Sequence, residues 1–332
     1  MQSMLSKNDM PGIINHRTLA ANGIQMHIAE QGEGPLVLLC HGWPELWYSW
    51  RHQLPALAAA GFRAVAPDMR GYGRTDAPTE IRSYTILHTV GDMVALVSAL
   101  GEQQAIIVGH DWGAPVAWMS ALLRPDIFPA VVAMSVPHRP RGPAPPLKIL
   151  QHQGLNTFYW IYFQTPGVAE AEFERDVTST MRRVLYGGSG DARGSKLSMV
   201  LNPGKGFLED SIDPEQLPAW LTDADISIMA TEFQRTGFRG GLNWYRNIDY
   251  NWELTSPWHG RKIQQPALFI AGTRDGVIRG PIGEGAVEKL PEVVPNLKRV
   301  LLIDGAGHWI QQERPDEVNA ALLEFLKDFN RA

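Results

Sequence analysis

Cysteine is almost missing from this chain: Cys40 is the one example in 332 residues. An intramolecular disulfide is therefore excluded, which fits a reducing compartment and leads us to expect a cytoplasmic protein. Cys40 ends an apolar run and reads as a small buried residue. No run of about 18 apolar residues is present, so no membrane-spanning helix is expected. Residues 1–17 mix Ser, Lys, Asn, Asp and Pro and lack the apolar stretch of a signal peptide. A basic surplus is also missing. The net charge is −5 and the isoelectric point about 6.1, which argues against nucleic acid and anionic membrane as partners. No His-Glu-x-x-His or Cys-rich pattern offers a metal site. Two glycine-rich stretches fail as nucleotide motifs. Gly71-Tyr72-Gly73-Arg74-Thr75-Asp76 lacks the third glycine, and in residues 190–196 the lysine follows serine instead of glycine. Neither metal nor cofactor is expected.

What is present is ordinary globular material, 44% hydrophobic and 20% charged, long enough to bury a self-sufficient core. Over residues 1–137, short apolar runs alternate with helical patterns. Runs at 24–30, 36–40, 64–67, 105–109 and 131–136 read as strands. Residues 84–100 carry apolar side chains at 86, 87, 90, 94 and 97 and read as a helix. This rhythm predicts a parallel sheet covered on both faces. It stops at His138-Arg139-Pro140-Arg141-Gly142-Pro143-Ala144-Pro145-Pro146, too proline-rich for either regular element. Helical stretches are expected at 149–164, 169–186, 213–221, 224–236 and 242–248, with a mobile Gly/Ser-rich loop at 187–195. Strands return at 267–272 and 298–303, and a final helix at 316–329. The expected organisation is an α/β core from residues 1–137 and 258–332, interrupted by a helical cap over 138–257.

The most informative residues are Gly109-His110-Asp111-Trp112-Gly113. They follow the apolar run 105–108 and precede a helical stretch at 114–123. A strand, a glycine-flanked tight turn and a helix form a nucleophile elbow, which usually carries Ser at its centre. Here the centre is Asp111. A carboxylate is ionised at neutral pH, its ordinary pKa being about 3.9, so it can attack an sp3 carbon without a base. Its product is an ester on the enzyme, which suits epoxides or alkyl halides better than esters.

Such a nucleophile needs a histidine and an orienting acid later in the chain. Of ten histidines, His308 sits just past the last strand run, in Asp304-Gly305-Ala306-Gly307-His308. Asp275 directly follows the 267–272 run and is the candidate acid; a turn or capping role is its alternative. Oxyanion donors should be the backbone N–H groups of Trp112 and of Trp43, in His41-Gly42-Trp43-Pro44-Glu45, since Pro44 has none. The insertion is rich in aromatics, and periodicity leaves both Tyr159 and Tyr162 able to face the site.

The chain resembles the soluble epoxide hydrolases of the α/β-hydrolase superfamily. The resemblance rests on the 41–45 and 109–113 segments, Phe163-Gln164-Thr165-Pro166-Gly167, Asn243-Trp244-Tyr245-Arg246-Asn247, Asp275 and Gly307-His308-Trp309. It implies an α/β-hydrolase core with a mostly parallel sheet and an inserted cap. It also implies that Tyr159 and Tyr245 serve as the ring-opening pair. The expected reaction converts an apolar epoxide to a vicinal diol through an ester on Asp111, with His308, oriented by Asp275, activating the water. A haloalkane or fluoroacetate dehalogenase would use the same Asp and His; the tyrosine pair separates the two. A non-catalytic ligand receptor is the alternative from another class. The sequence leaves the oligomeric state open, a homodimer through the caps being one option.

Overall fold

The computed structural model of the protein describes residues 13–193 and 197–329. The expectations for residues 1–12, and for the last two residues of the Gly/Ser-rich stretch, lie outside the described residues. Eight strands form one sheet: β1 (Asn15–Ala21), β2 (Ile24–Gln31), β3 (Leu36–Cys40), β4 (Arg63–Pro67), β5 (Ile106–His110), β6 (Val131–Met134), β7 (Ala267–Gly272) and β8 (Leu297–Ile303). Their order is β1-β2-β4-β3-β5-β6-β7-β8. From β4 to β8 all neighbours are parallel, whereas β1–β2 and β2–β4 are antiparallel. Sequence patterning located seven of these strands. It missed β1, which opens on the four polar residues Asn15-His16-Arg17-Thr18 and so carries no apolar run.

The central strands β3, β5, β6 and β7 are buried at every position because both faces are covered. Val37 and Leu39 join one core with Leu54 and Leu57 of α1 (Gln53–Ala59). Leu38 and Cys40 join the opposite core with Val90, Met93 and Leu96 of α2 (Ile86–Ala99). Each fully buried Leu or Val contributes about 1.5–3 kcal/mol of transfer free energy. Helix α3 (Gly113–Leu123) packs against β5 and β6.

Between Met134 and Ala267 no strand of the sheet lies among the described residues. Seven helices fill the interval: α4 (Pro146–His152), α5 (Tyr159–Tyr162), α6 (Val168–Phe173), α7 (Val177–Gly188), α8 (Asp223–Thr236), α9 (Arg239–Tyr245) and α10 (Ile248–Leu254). They are shorter than patterning suggested. The expected 149–164 helix breaks at Gly154, which adopts φ +80°. The 169–186 helix restarts at Asp176, whose side chain caps α7 by accepting from Ser179 N–H at 3.0 Å. Residues 213–221 are not helical. Pro218 there has no N–H to give residue 214, and its ring would crowd that carbonyl. Residues 187–193 are not a free loop: Gly187 and Gly188 end α7, and Gly190 is buried. The chain then returns to the sheet and closes with α11 (Gly276–Arg279), α12 (Leu290–Val293), α13 (Ile310–Glu313) and α14 (Pro315–Leu326). No helix among the described residues is long and apolar enough to cross a membrane.

Register brings the carboxyl ends of the strands together. Cys40 pairs with Gly109, His110 with Met134, and Gly272 with Ile303. The residues that follow therefore emerge along one sheet edge. At the β5–α3 turn Asp111 holds φ +49°, a left-handed conformation tolerated by Asp at a cost of about 1 kcal/mol. A Cβ on Gly109 would collide with the Gly113 carbonyl, and one on Gly113 with the Cys40 carbonyl. Gly109→Ala should therefore lose about 3 kcal/mol or more of stability, because only backbone could give way. Urea unfolding checks this; a stability unchanged from the parent would contradict the packing described.

Candidate active site

Asp111 is buried at the turn. Its Oδ1 accepts from the Trp43 backbone N–H at 2.7 Å, and its Oδ2 lies 3.4 Å from His308 Nε2. Gly42 admits this approach, since a Cβ there would overlap the Asp111 side chain. Trp112 immediately precedes α3, so its N–H belongs to the orphan donors of that helix. His308 reaches the edge from the loop after β8. Its Nδ1 lies 3.1 Å from each oxygen of Asp275, which is fully buried. Asp275 also caps α11, accepting from Val277 N–H at 2.8 Å, so the capping and orienting roles coincide in one side chain.

The electrostatics of this row are strongly coupled. Burial alone would lower the His308 pKa. The Asp275 charge and the contacts to Asp111 and Asp275 outweigh it and raise the imidazole well above its ordinary value. Burial opposes ionisation of Asp275, yet the His308 charge and the Val277 N–H hold its carboxyl below the usual range.

Two tyrosines face Asp111 from the inserted helices. Tyr159, on α5, and Tyr245, on α9, have ring centroids 5.8 Å apart. Tyr245 meets the Trp112 ring edge-on at 5.0 Å, and Phe163 at 4.9 Å. Burial raises both phenols above their ordinary pKa. Asp111 adds to the effect in each, so both are held protonated. Tyr162, the periodic alternative, turns away and donates to Glu172 Oε2 at 2.9 Å. A cavity of about 390 Å3 opens from Asp111, Trp112 and Tyr159 between the sheet edge and the insertion. His138 forms part of its wall, and burial pushes that imidazole down to about 4.

Three supporting residues escaped the sequence reading. His110 Nδ1 lies 2.7 Å from Glu45 Oε2, and its Nε2 donates to the His308 carbonyl at 2.8 Å. Burial opposes ionisation of Glu45, but His110 outweighs it and holds the carboxyl at about 2. Ser135, at φ +67° after β6, donates its hydroxyl to the same His308 carbonyl at 2.9 Å. Glu45 and His110 stood inside segments already singled out, and their adjacency to the strand ends was the available signal. Ser135 had none.

The comparisons with known proteins agree with one another. The chain matches the family model described as alpha/beta hydrolase fold over residues 35–315. It is 47% identical over 319 residues to epoxide hydrolase A of Mycobacterium tuberculosis, covering 95% of this chain and 98% of that protein. Epoxide hydrolase 1 of Siraitia grosvenorii is 46% identical over 322 residues, covering 95% and 99%. Among solved structures, an epoxide hydrolase from an endophytic Streptomyces superposes with a TM-score of 0.91 at 46% identity, covering 96% and 97%. Near-full-length similarity at this level, on a fold with an aspartate where such turns usually hold serine, settles the kinship: the chain belongs to the epoxide hydrolases of the alpha/beta hydrolase fold.

Proposed function

We propose that this epoxide hydrolase works through a covalent ester on Asp111, with residues 138–257 acting as a helical cap that supplies the acid. The observation that carries the reading is a cavity lined by both Asp111 and Tyr159, with the Tyr245 ring beside those of Tyr159 and Trp112. Oδ1 is held by Trp43 N–H, which leaves Oδ2 as the attacking oxygen. Oδ2 forms a bond to one oxirane carbon as the carbon–oxygen bond on the far side breaks. The ring oxygen takes a proton from a tyrosine. A phenol suits this step, since an alkoxide leaving group is strongly basic.

The ester is then hydrolysed. Water gives a proton to His308 and adds to the ester carbonyl carbon, and the oxyanion formed sits on the N–H groups of Trp43 and Trp112. Loss of one such donor typically slows a reaction about 100- to 1000-fold. Collapse passes the tetrahedral hydroxyl proton to the departing oxygen, releases the vicinal diol and restores the Asp111 carboxylate beside a protonated His308. His308 changes character between the two steps. While Asp111 is charged, it helps hold the imidazole protonated. Esterification removes that charge and lowers the imidazole pKa; the imidazolium passes its proton to the tyrosinate by way of solvent, and Nε2 is free to act as a base.

A dehalogenase needs N–H donors for a halide, and Trp112 is the available indole. Here its ring meets Tyr245 edge-on at 5.0 Å, and the tyrosine beside it supplies the proton that an oxygen leaving group needs. A cytoplasmic location completes the reading, supported by the single, buried Cys40.

His308→Gln should accumulate the ester, seen by intact-mass spectrometry as Asp111 carrying the added mass of an epoxide; diol formation at the parent rate without an adduct would refute the mechanism. Replacing Tyr159 and Tyr245 together with Phe should reduce ring opening at least about a thousandfold, each step of ten being about 1.4 kcal/mol of barrier. Persistence of epoxide turnover, or halide release from chloroalkanes at a comparable rate, would sink the tyrosine role. Finally, Asp111→Asn should lower the His308 pKa, read by NMR titration of the imidazole. Because the native carboxylate raises that pKa, the variant imidazole should lose its proton at lower pH than the parent's; an unchanged midpoint would contradict the proposed switch.

A further inference from the structure

We propose that the outer edge of β8 is an interface between two copies of this chain, joined antiparallel about a two-fold axis at Leu301 into one continuous sheet. β8 is the last strand of the sheet and pairs with β7 alone. The Thr273 N–H donates to the Ile303 carbonyl at 3.0 Å. Backbone groups alternate in direction along a strand, so Leu301 and Ile303 turn theirs to β7. Val300 and Leu302 turn theirs outward, and among the described residues neither meets a further backbone partner there.

The side chains on this edge suit a second copy. Leu301 and Ile303 pack into the core that α14 shares. Val300 and Leu302 alternate with them and are 36% and 45% exposed. Of the large apolar side chains exposed among the described residues, they are the two that share one element. Sheet edges are ordinarily blunted by charges, proline or bulges, because a bare edge invites another strand. The stretch Val300-Leu301-Leu302-Ile303 has neither charge nor proline, and the irregularity of the β7–β8 pairing lies before it, between Leu297 and Arg299. The opposite edge differs: β1 opens on four polar residues and packs against α2.

The outward groups restrict the register. An antiparallel partner must set outward-turned residues opposite one another, which leaves few alignments. Val300 opposite Leu302 of the second copy pairs the exposed apolar side chains, and the two-fold axis repeats the pair. The same alignment brings Lys298 of each strand beside Asp304 of the other. Both residues are exposed, and neither belongs to an ion pair among the described residues. Sliding the register by one step in either direction sets Lys298 against Leu302, or Val300 against Asp304. Apolar and opposite-charge pairs across strands both favour association. A strand that matches its own reverse in hydrogen bonding, apolarity and charge meets the demand of an isologous contact.

Sedimentation velocity of the full chain over a concentration series tests this. The mass should rise reversibly from 36.9 kDa towards twice that value. Lys298→Glu sets like charges side by side and should weaken the dimer at least about tenfold, and adding Asp304→Lys should restore it. Residues facing each other across the axis lie within disulfide reach, so Leu301→Cys should link two copies on mild oxidation, whereas Leu302→Cys, off the axis, should not. The native Cys40 is buried and does not compete. A mass of one chain at every concentration overturns the proposal. So does a dimer indifferent to the charge substitutions, or one cross-linked no better through Leu301→Cys than through Leu302→Cys; either would put the contact elsewhere, such as on the inserted helices.

Discussion

The placement of one carboxylate at a left-handed turn governs much of this molecule. Asp111 stands where β5, the 41–45 loop and the start of α3 come within contact of one another. That convergence is possible because Gly42, Gly109 and Gly113 present no Cβ to the backbone or side chain beside them. The six parallel strands bring the remaining groups to the same edge, each loop adding one side chain. Core packing on the two faces fixes the strand register, and the register fixes which atoms meet Asp111. The chemistry of the site is thus inherited from the alignment of Cys40, His110, Met134, Gly272 and Ile303.

Charge is arranged as carefully as shape. Asp275, His308 and Asp111 alternate in sign along one row. Glu45 and His110 form a second row that ends on the His308 carbonyl. The first row sets the imidazole's proton, and the second sets where its backbone stands. Across the cavity the phenols are held protonated in part by the same Asp111 charge that raises the His308 pKa. One carboxylate therefore tunes both the groups that would donate a proton and the group that would accept one.

Much of this was legible in the amino-acid order, for identifiable reasons. Buried strands advertise themselves as apolar runs, so β2 to β7 were visible, as was β8, mostly exposed but apolar from Val300 to Ile303, while β1 opens on four polar residues and was not. Core helices such as α2 and α3 carry a continuous apolar face. The inserted helices are short, and their breaks depend on single residues: Gly154, Asp176 and Pro218. Apolar periodicity averages over such positions. The elbow was legible because glycines flank Asp111, and His308 and Asp275 because each follows a strand directly. The choice between Tyr159 and Tyr162 needed resemblance at first. In the structure it follows from a hydrogen bond to Glu172 that lies ten residues away and that no periodicity encodes.

The seam between α7 and the His308 loop has a mechanical meaning. His308 N–H donates to the Gly188 carbonyl at 2.8 Å, and Glu313 accepts from Gly190, Gly307 and Trp309 N–H groups at 2.8–3.0 Å. Peeling the inserted helices away would strand several buried donors and acceptors, each costing about 1–3 kcal/mol. The insertion is therefore footing for the imidazole and not a hinged door. Reactant and product pass instead through the cavity between the sheet edge and the inserted helices, lined by Trp112 and Tyr159.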